Sequence, residues 1–223
     1  MTAKTKIILA ALAMAPVSAQ AATFIDRASF TLAVPGAAIV EDFESAGPVN
    51  TAIPSLVTPS ATYIGQAGVP FANVYVIDPS ATNFALGGAP IGSKVLTANG
   101  DESFLINLAS ATQAVGFDLF LNDLGVTTVR FFAGATQVDQ IIFTADASIA
   151  NNRSFAGIVS ASAISAITFV STAGGQLNTG LDNLTVGRVA PGVPEPASWA
   201  MMIGGLGIVG AAIRRSAKRI AFA

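Results

Sequence analysis

The stretch Val115-Gly116-Phe117-Asp118-Leu119-Phe120-Leu121 decides the fold class. Val115, Phe117, Leu119 and Leu121 fall on one side of a period-two alternation, with Gly116, Asp118 and Phe120 on the other. This is the pattern of a strand with one face in a core. Comparable runs lie on both sides of it. Residues 71–77 are aromatic and β-branched, Val129 and Phe131 lead to Gly134, and residues 138–143 return from it. Val95 and Leu96 approach the turn Asn99-Gly100-Asp101, and residues 104–108 leave it, which reads as a hairpin. Residues 155–159, 164–170 and 181–186 complete the series. The spacing predicts about eight to ten strands in an all-β, jelly-roll-like β-sandwich. Before the strands, Asp26 is placed to cap one short helix over residues 26–32.

The composition narrows the chemistry. The 223 residues include no Cys and no His. That removes disulfides, thiolate nucleophiles, Ser-His-Asp triads and imidazole-bound zinc. Hydrophobic residues make up 52% and charged ones 11%, and the mean hydropathy is positive, so apolar mass beyond a soluble core must be placed.

The two ends take up that mass. Lys4 and Lys6 precede an apolar run over residues 7–15, and Ala19-Gln20-Ala21 follows. A basic start, a short apolar centre and small residues two apart mark residues 1–21 as a signal peptide; the other reading of this run is a buried helix. At the far end residues 197–213 carry no charge and would form a helix roughly 25 Å long. Arg214, Arg215, Lys218 and Arg219 follow it as a basic cytoplasmic stop in the tail 214–223. We read 197–213 as a transmembrane helix, against the alternative of a buried C-terminal helix. Between the ends, residues 22–189 form the β-sandwich passenger domain, and residues 190–196, with Pro191, Pro194 and Pro196, form an extended linker. From Ala22 to Val193, five cations face twelve acids, a net charge of −7. Such a domain repels nucleic acid and anionic lipid and suits neutral partners or divalent cations.

The tail Val193-Pro194-Glu195-Pro196-Ala197-Ser198-Trp199-Ala200, then an apolar helix, then Arg214-Arg215, resembles the PEP-CTERM sorting signal in its variant with Trp and Ala after Pro-Glu-Pro. The resemblance covers about thirty residues. It implies an exported substrate of an exosortase in a Gram-negative bacterium that produces exopolysaccharide. Pro194, Glu195, Pro196, Trp199 and Ala200 would be the sorting motif, and the inner membrane a transient station before the cell surface or the extracellular matrix. The alternative is a permanent anchor on a Pro-rich stalk. The phrases Glu41-Asp42-Phe43-Glu44, Val115-Gly116-Phe117-Asp118 and Leu181-Asp182-Asn183-Leu184 are similar to those of β-rich passengers of such proteins.

Asp42-Phe43-Glu44 near the first strand and Asp182-Asn183 near the last also resemble carbohydrate-binding jelly rolls, whose two ends share a calcium ion. That resemblance implies a structural Ca²⁺ held by Glu44, Asp182 and Asn183; the alternative is that these acids solubilise strand ends. Asp118 and Asp123 are a conceivable carboxylate pair for glycoside hydrolysis, but read first as surface turn residues. Tyr63 and Tyr75 are candidates for stacking on sugars, and the single Trp lies outside the domain. The sequence therefore favours a non-catalytic surface or matrix protein with weak glycan binding over a carboxylate-dependent hydrolase or lyase. Maturation gives the first test. Mass spectrometry of exported protein should find its N-terminus within about two residues of Ala22; exported material retaining residues 1–21 would contradict the reading.

Overall fold

The structure, a computed structural model, describes residues 21–66, 72–78, 92–99, 103–121, 125–144, 153–171, 180–188, 202–210 and 214. The chain forms two units, Met1–Arg188 and Val189–Ala223. In the first, the order is β1 (Ala22–Phe24), α1 (Arg27–Ala33), β2 (Ala38–Glu41), β3 (Ser55–Val57), β4 (Ala61–Gly65), β5 (Asn73–Ile77), β6 (Val95–Asn99), β7 (Phe104–Phe120), β8 (Val126–Ala133), β9 (Thr136–Thr144), β10 (Arg153–Ser171) and β11 (Gly180–Gly187).

The alternation at Val115 belongs to a longer strand than expected. β7 unites residues 104–108 with the quoted stretch, and β10 likewise unites 155–159 with 164–170. The two run antiparallel along their length. Their register shifts between Val159 and Ile164 and again between Ile164 and Ala166. Bulges of this kind bend a strand. The bend is built from small residues, Ala109-Ser110-Ala111 on β7 and Ala161-Ser162-Ala163 on β10, all exposed.

On either side of the bend the same two strands have different neighbours. Phe104–Leu108 pairs with β4, which pairs with β3, while the end of β10 pairs with β8 and β8 with β9. Beyond the bend, Ala114–Phe120 pairs with β11, and β11 with β2 and β6; β5 pairs with β6, and β1 adds to the start of β10. One hydrogen-bonded network therefore folds into two layers. Phe117 from one layer meets Phe169 from the other with ring centroids 5.3 Å apart, and Phe169 stacks on Phe104 at 4.2 Å. Leu119, Ile106, Val129, Phe131, Ile158 and Leu181 fill the same core. The all-β sandwich is as the sequence predicts.

Two local expectations are overturned. Among the described residues β6 does not pair with the start of β7 as a hairpin would require, and Gly100 and Asp101 of the expected turn lie outside them. Gly180 and Leu181 of β11 pair with β6 on one side and with Leu119 and Phe120 of β7 on the other. The start of β7 is already taken by β4 and β10, so long-range pairing overrides the local turn signal. The second correction concerns the outward face of the quoted stretch, where Gly116 and Phe120 are buried too. Gly116 pairs with Gly157, and a Cβ on Gly116 would lie 2.4 Å from the ring of Phe155. A Cβ on Gly157 would lie 2.9 Å from Phe30 of α1. This pair of glycines leaves a flat place for Phe155, over which Phe30 of α1 and the C-cap residue Val34 pack. The helix is as expected: Asp26 caps it, accepting from the Ser29 amide at 2.7 Å.

The signal peptide lies outside the described residues except for Ala21. In the second unit, residues 202–210 are helical and all exposed; the rest of the expected transmembrane helix 197–213 lies outside the described residues. Among the described residues no helix is long and apolar enough to cross a membrane. Phe117→Ala should lower the unfolding free energy by about 3–5 kcal/mol, and Gly116→Ala by ~1–3 kcal/mol through overpacking against Phe155. Urea denaturation of the full chain measures both; a Gly116→Ala variant as stable as the parent would show that α1 does not press Phe155 onto the sheet.

Candidate functional site

The outer face beneath α1 gathers most of the polar groups that the sequence singled out. Asp118 sits within β7, two residues before its end and opposite Asp182 of β11, and is not a turn residue. Even alternation places it on the face away from the core, where α1 delivers Arg27. The Arg27 Nε donates to Asp118 Oδ1 at 2.9 Å, Nη1 to Thr185 Oγ1 at 2.9 Å and Nη2 to the Asn183 carbonyl at 3.2 Å. Its guanidinium also lies over the Phe155 ring, 4.9 Å from the centroid. Arg27 is thus the hub that fixes α1 to the sheet. In the sequence Arg27 stands out only as a cation, and its place beside the capping Asp26 is the available signal.

Asn183 has a φ of +53°, in the left-handed region that asparagine tolerates, and marks the register shift between Asp182 and Thr185. The shift turns its amide toward both acids: Nδ2 donates to Asp118 Oδ2 at 2.9 Å and to Asp182 Oδ2 at 3.3 Å. Asp182 is 2% exposed. Its Oδ1 accepts from the Asn183 amide N–H at 2.6 Å and its Oδ2 from Ser93 Oγ at 2.7 Å. Burial, with smaller help from the charges of Asp118 and Glu44, pushes its pKa up to about 6, against the pull of those hydrogen bonds.

Glu44 therefore stands within electrostatic reach of Asp182, with Ser93 and Lys94 between them. The Lys94 amide donates to Glu44 Oε1 at 2.8 Å, and its ammonium donates to the Glu44 carbonyl at 2.6 Å. In the structure these calcium candidates are engaged by protein donors. Ca²⁺ takes six to eight oxygens, yet these carboxylates already accept from N–H and O–H groups, and a cation already sits on the Glu44 carbonyl. Among the described residues no group of three or more acids is arranged to hold a metal ion.

Beside the network opens a cleft of about 410 Å³, lined by Ile25, Asp26, Asp118, Phe120, Arg153, Ser154 and Phe155. Asp182 does not line it. Tyr63, a candidate for sugar stacking, is fully buried against Phe43 instead, and Tyr75 is half-buried beside Phe120. Asp123, Pro194, Glu195, Pro196, Trp199, Ala200, Arg215, Lys218 and Arg219 lie outside the described residues; Arg214 is exposed.

Residues 192–216 match the model of the PEP-CTERM protein-sorting motif. The chain carries a PEP-CTERM sorting signal. The match spans Pro194-Glu195-Pro196, Trp199, the apolar stretch and Arg214-Arg215. No curated protein matches the chain. Among solved structures it is similar to the cleaved adhesin domain of Lys-gingipain, at 14% identity and a TM-score of 0.43, over 74% of this chain and 97% of that one. A mutant of a family 29 carbohydrate-binding module aligns at 8% identity and a TM-score of 0.36, over 79% and 93%. TmCBM61, solved with beta-1,4-galactotriose, aligns at 13% identity and a TM-score of 0.28, over 66% and 94%.

The buried acid has a measurable consequence. The folded protein holds the Asp182 proton to higher pH than the unfolded chain does, whose carboxyl titrates near the ordinary value of 3.8. Folding therefore takes up a proton between pH about 4 and about 6, and stability falls as the pH rises through that window. Urea midpoints should show this fall in the parent and a smaller one in Asp182→Asn, which cannot ionise; parallel curves would remove Asp182 as the cause.

Proposed function

We propose that this protein is exported across the inner membrane of a Gram-negative bacterium and sorted by an exosortase to the cell surface or extracellular matrix. There its β-domain serves as a non-catalytic module that meets neutral exopolysaccharide weakly. The observation that carries the reading is the sorting-motif match at residues 192–216. In this reading residues 197–213 hold the precursor transiently in the membrane, with Arg214, Arg215, Lys218 and Arg219 on the cytoplasmic side. The exposed helical run that includes Met202, Ile203, Leu206, Ile208 and Val209 supports it, because so much bare apolar surface suits lipid better than water. The chemistry of sorting belongs to the exosortase, which reads Pro194, Glu195 and Pro196 in an extended segment.

One observation favours the hydrolase alternative. Asp118 and Asp182 face each other across β7 and β11, with Asp118 paired to Arg27 and Asp182 raised toward neutrality, which is how an acid and a nucleophile are set apart. Yet both must reach one substrate. Asp182 is nearly closed off, is engaged by Ser93 and Asn183, and does not line the cleft that Asp118 lines. The pair fits a structural clasp better than a catalytic one, and the non-catalytic reading stands on that, with the lack of His and Cys beside it.

An anchor needs only an apolar helix and a basic stop, whereas a recognition groove selects particular side chains on an extended backbone. Pro194→Ala with Glu195→Ala should therefore leave membrane insertion intact and block processing in the native host, so that uncut precursor accumulates in the inner membrane. Processing of the double variant at the parental rate would leave the tail as a plain anchor.

A further inference from the structure

We propose that the cleft between the β1–α1 turn and the adjoining ends of β7 and β10 is a binding site for a neutral, hydroxyl-rich oligosaccharide. The proposal rests on the reading that the domain meets exopolysaccharide, and it names the place and the class of sugar.

The lining gives the argument. Asp26 and the part-exposed Asp118 line it with carboxylates that accept from Ser29, Arg27 and Asn183 and keep further lone pairs, Arg153 and Ser154 carry donor groups, and Phe120 and Phe155 form an apolar floor. A sugar ring has the matching character, with a rim of hydroxyls and apolar C–H faces. An apolar ligand would strip water from the two carboxylates without replacing its hydrogen bonds. An acidic polysaccharide would meet two acids in the cleft and a domain of net charge −7. Within the cleft the balance is even, since Arg27 pairs with Asp118 and Arg153 joins Asp26 in the lining. The volume of about 410 Å³ falls in the range of small-ligand pockets and accommodates one or two sugar rings.

The floor also sets the strength. Arg27 lies over the Phe155 ring and Arg153 over the Phe120 ring, 5.7 Å from its centroid. The Gly116–Gly157 pair backs Phe155 from below. The aromatic faces are thus occupied, and a sugar would meet ring edges and the polar rim instead of a stacking platform. Binding should be weak, with Kd of roughly 0.1–10 mM.

The test uses the full chain in detergent micelles. Cellotetraose, mannotetraose and galactotetraose serve as neutral probes and tetragalacturonate as the acidic one, with binding followed by saturation-transfer NMR and titration. Two variants leave the fold in place: Arg153→Ala, and Asp26→Asn, in which Asn caps a helix as well as Asp does. Thermal melting checks both. At least one neutral probe should bind the parent, and each variant should weaken it by about tenfold at an unchanged melting temperature. Neutral binding that both variants leave untouched would overturn this site while the exopolysaccharide reading survives. Binding of tetragalacturonate alone would overturn the neutral class, and binding of none of the four would overturn the reading together with the site.

Discussion

The antiparallel pairing of β7 with β10 is the constraint on which the domain depends. Each strand passes through both layers, so the bend in this ladder is what folds one sheet over itself. The layers then close on Phe104, Phe117 and Phe169, which belong to the two strands that made the bend. The same ladder builds the outer face. Because Gly116 lies opposite Gly157, Phe155 can lie flat on the sheet, α1 can approach, and Arg27 can reach Asp118. A one-residue slip in register would turn Asp118 into the core and Phe117 out of it. Core, helix docking and polar network are consequences of one register.

Much of this was legible in the sequence, and the exceptions have physical causes. The alternation at Val115–Leu121, the β8–β9 hairpin at Gly134 and the Asp26 cap are local signals, and each appears as read. β1, β3 and β4 went unread, and β2 was read only as a first strand near Asp42. They are only three to five residues long, and several depend on neighbours distant in sequence, as β2 depends on β11 and β4 on β7. The hairpin at Asn99-Gly100-Asp101 fails for the same reason, since β11 takes the pairing that the turn would have made. Of the candidate site, Glu44, Asp182 and Asn183 were read as a group. What the sequence could not give is the set of partners. Arg27, Ser93 and Lys94 come from remote segments and satisfy these oxygens with protein donors. Asp118 was misread because its neighbours Arg27 and Asn183 lie 91 and 65 positions away.

The two units answer different questions. Arg27 and Asp118 form an ion pair that is only partly exposed, on a face otherwise closed by aromatic rings, so the acidic domain holds its N-terminal helix without a disulfide. A domain built this way needs no redox chemistry to mature once exported. The tail carries the address. Its information lies in a short Pro-Glu-Pro motif, an apolar stretch and a basic end, none of which requires the β-domain's fold. If so, address and passenger should be separable.

That separability is the most direct test of the account. Residues 189–223 can be fused behind an unrelated exported reporter domain and expressed in a host with an active exosortase, with the same fusion in a strain lacking the enzyme. The account predicts that the reporter is cut and reaches the cell surface in the first host and stays uncut in the inner membrane in the second. A reporter that remains uncut in both would contradict it, because the tail would then be an anchor and no address.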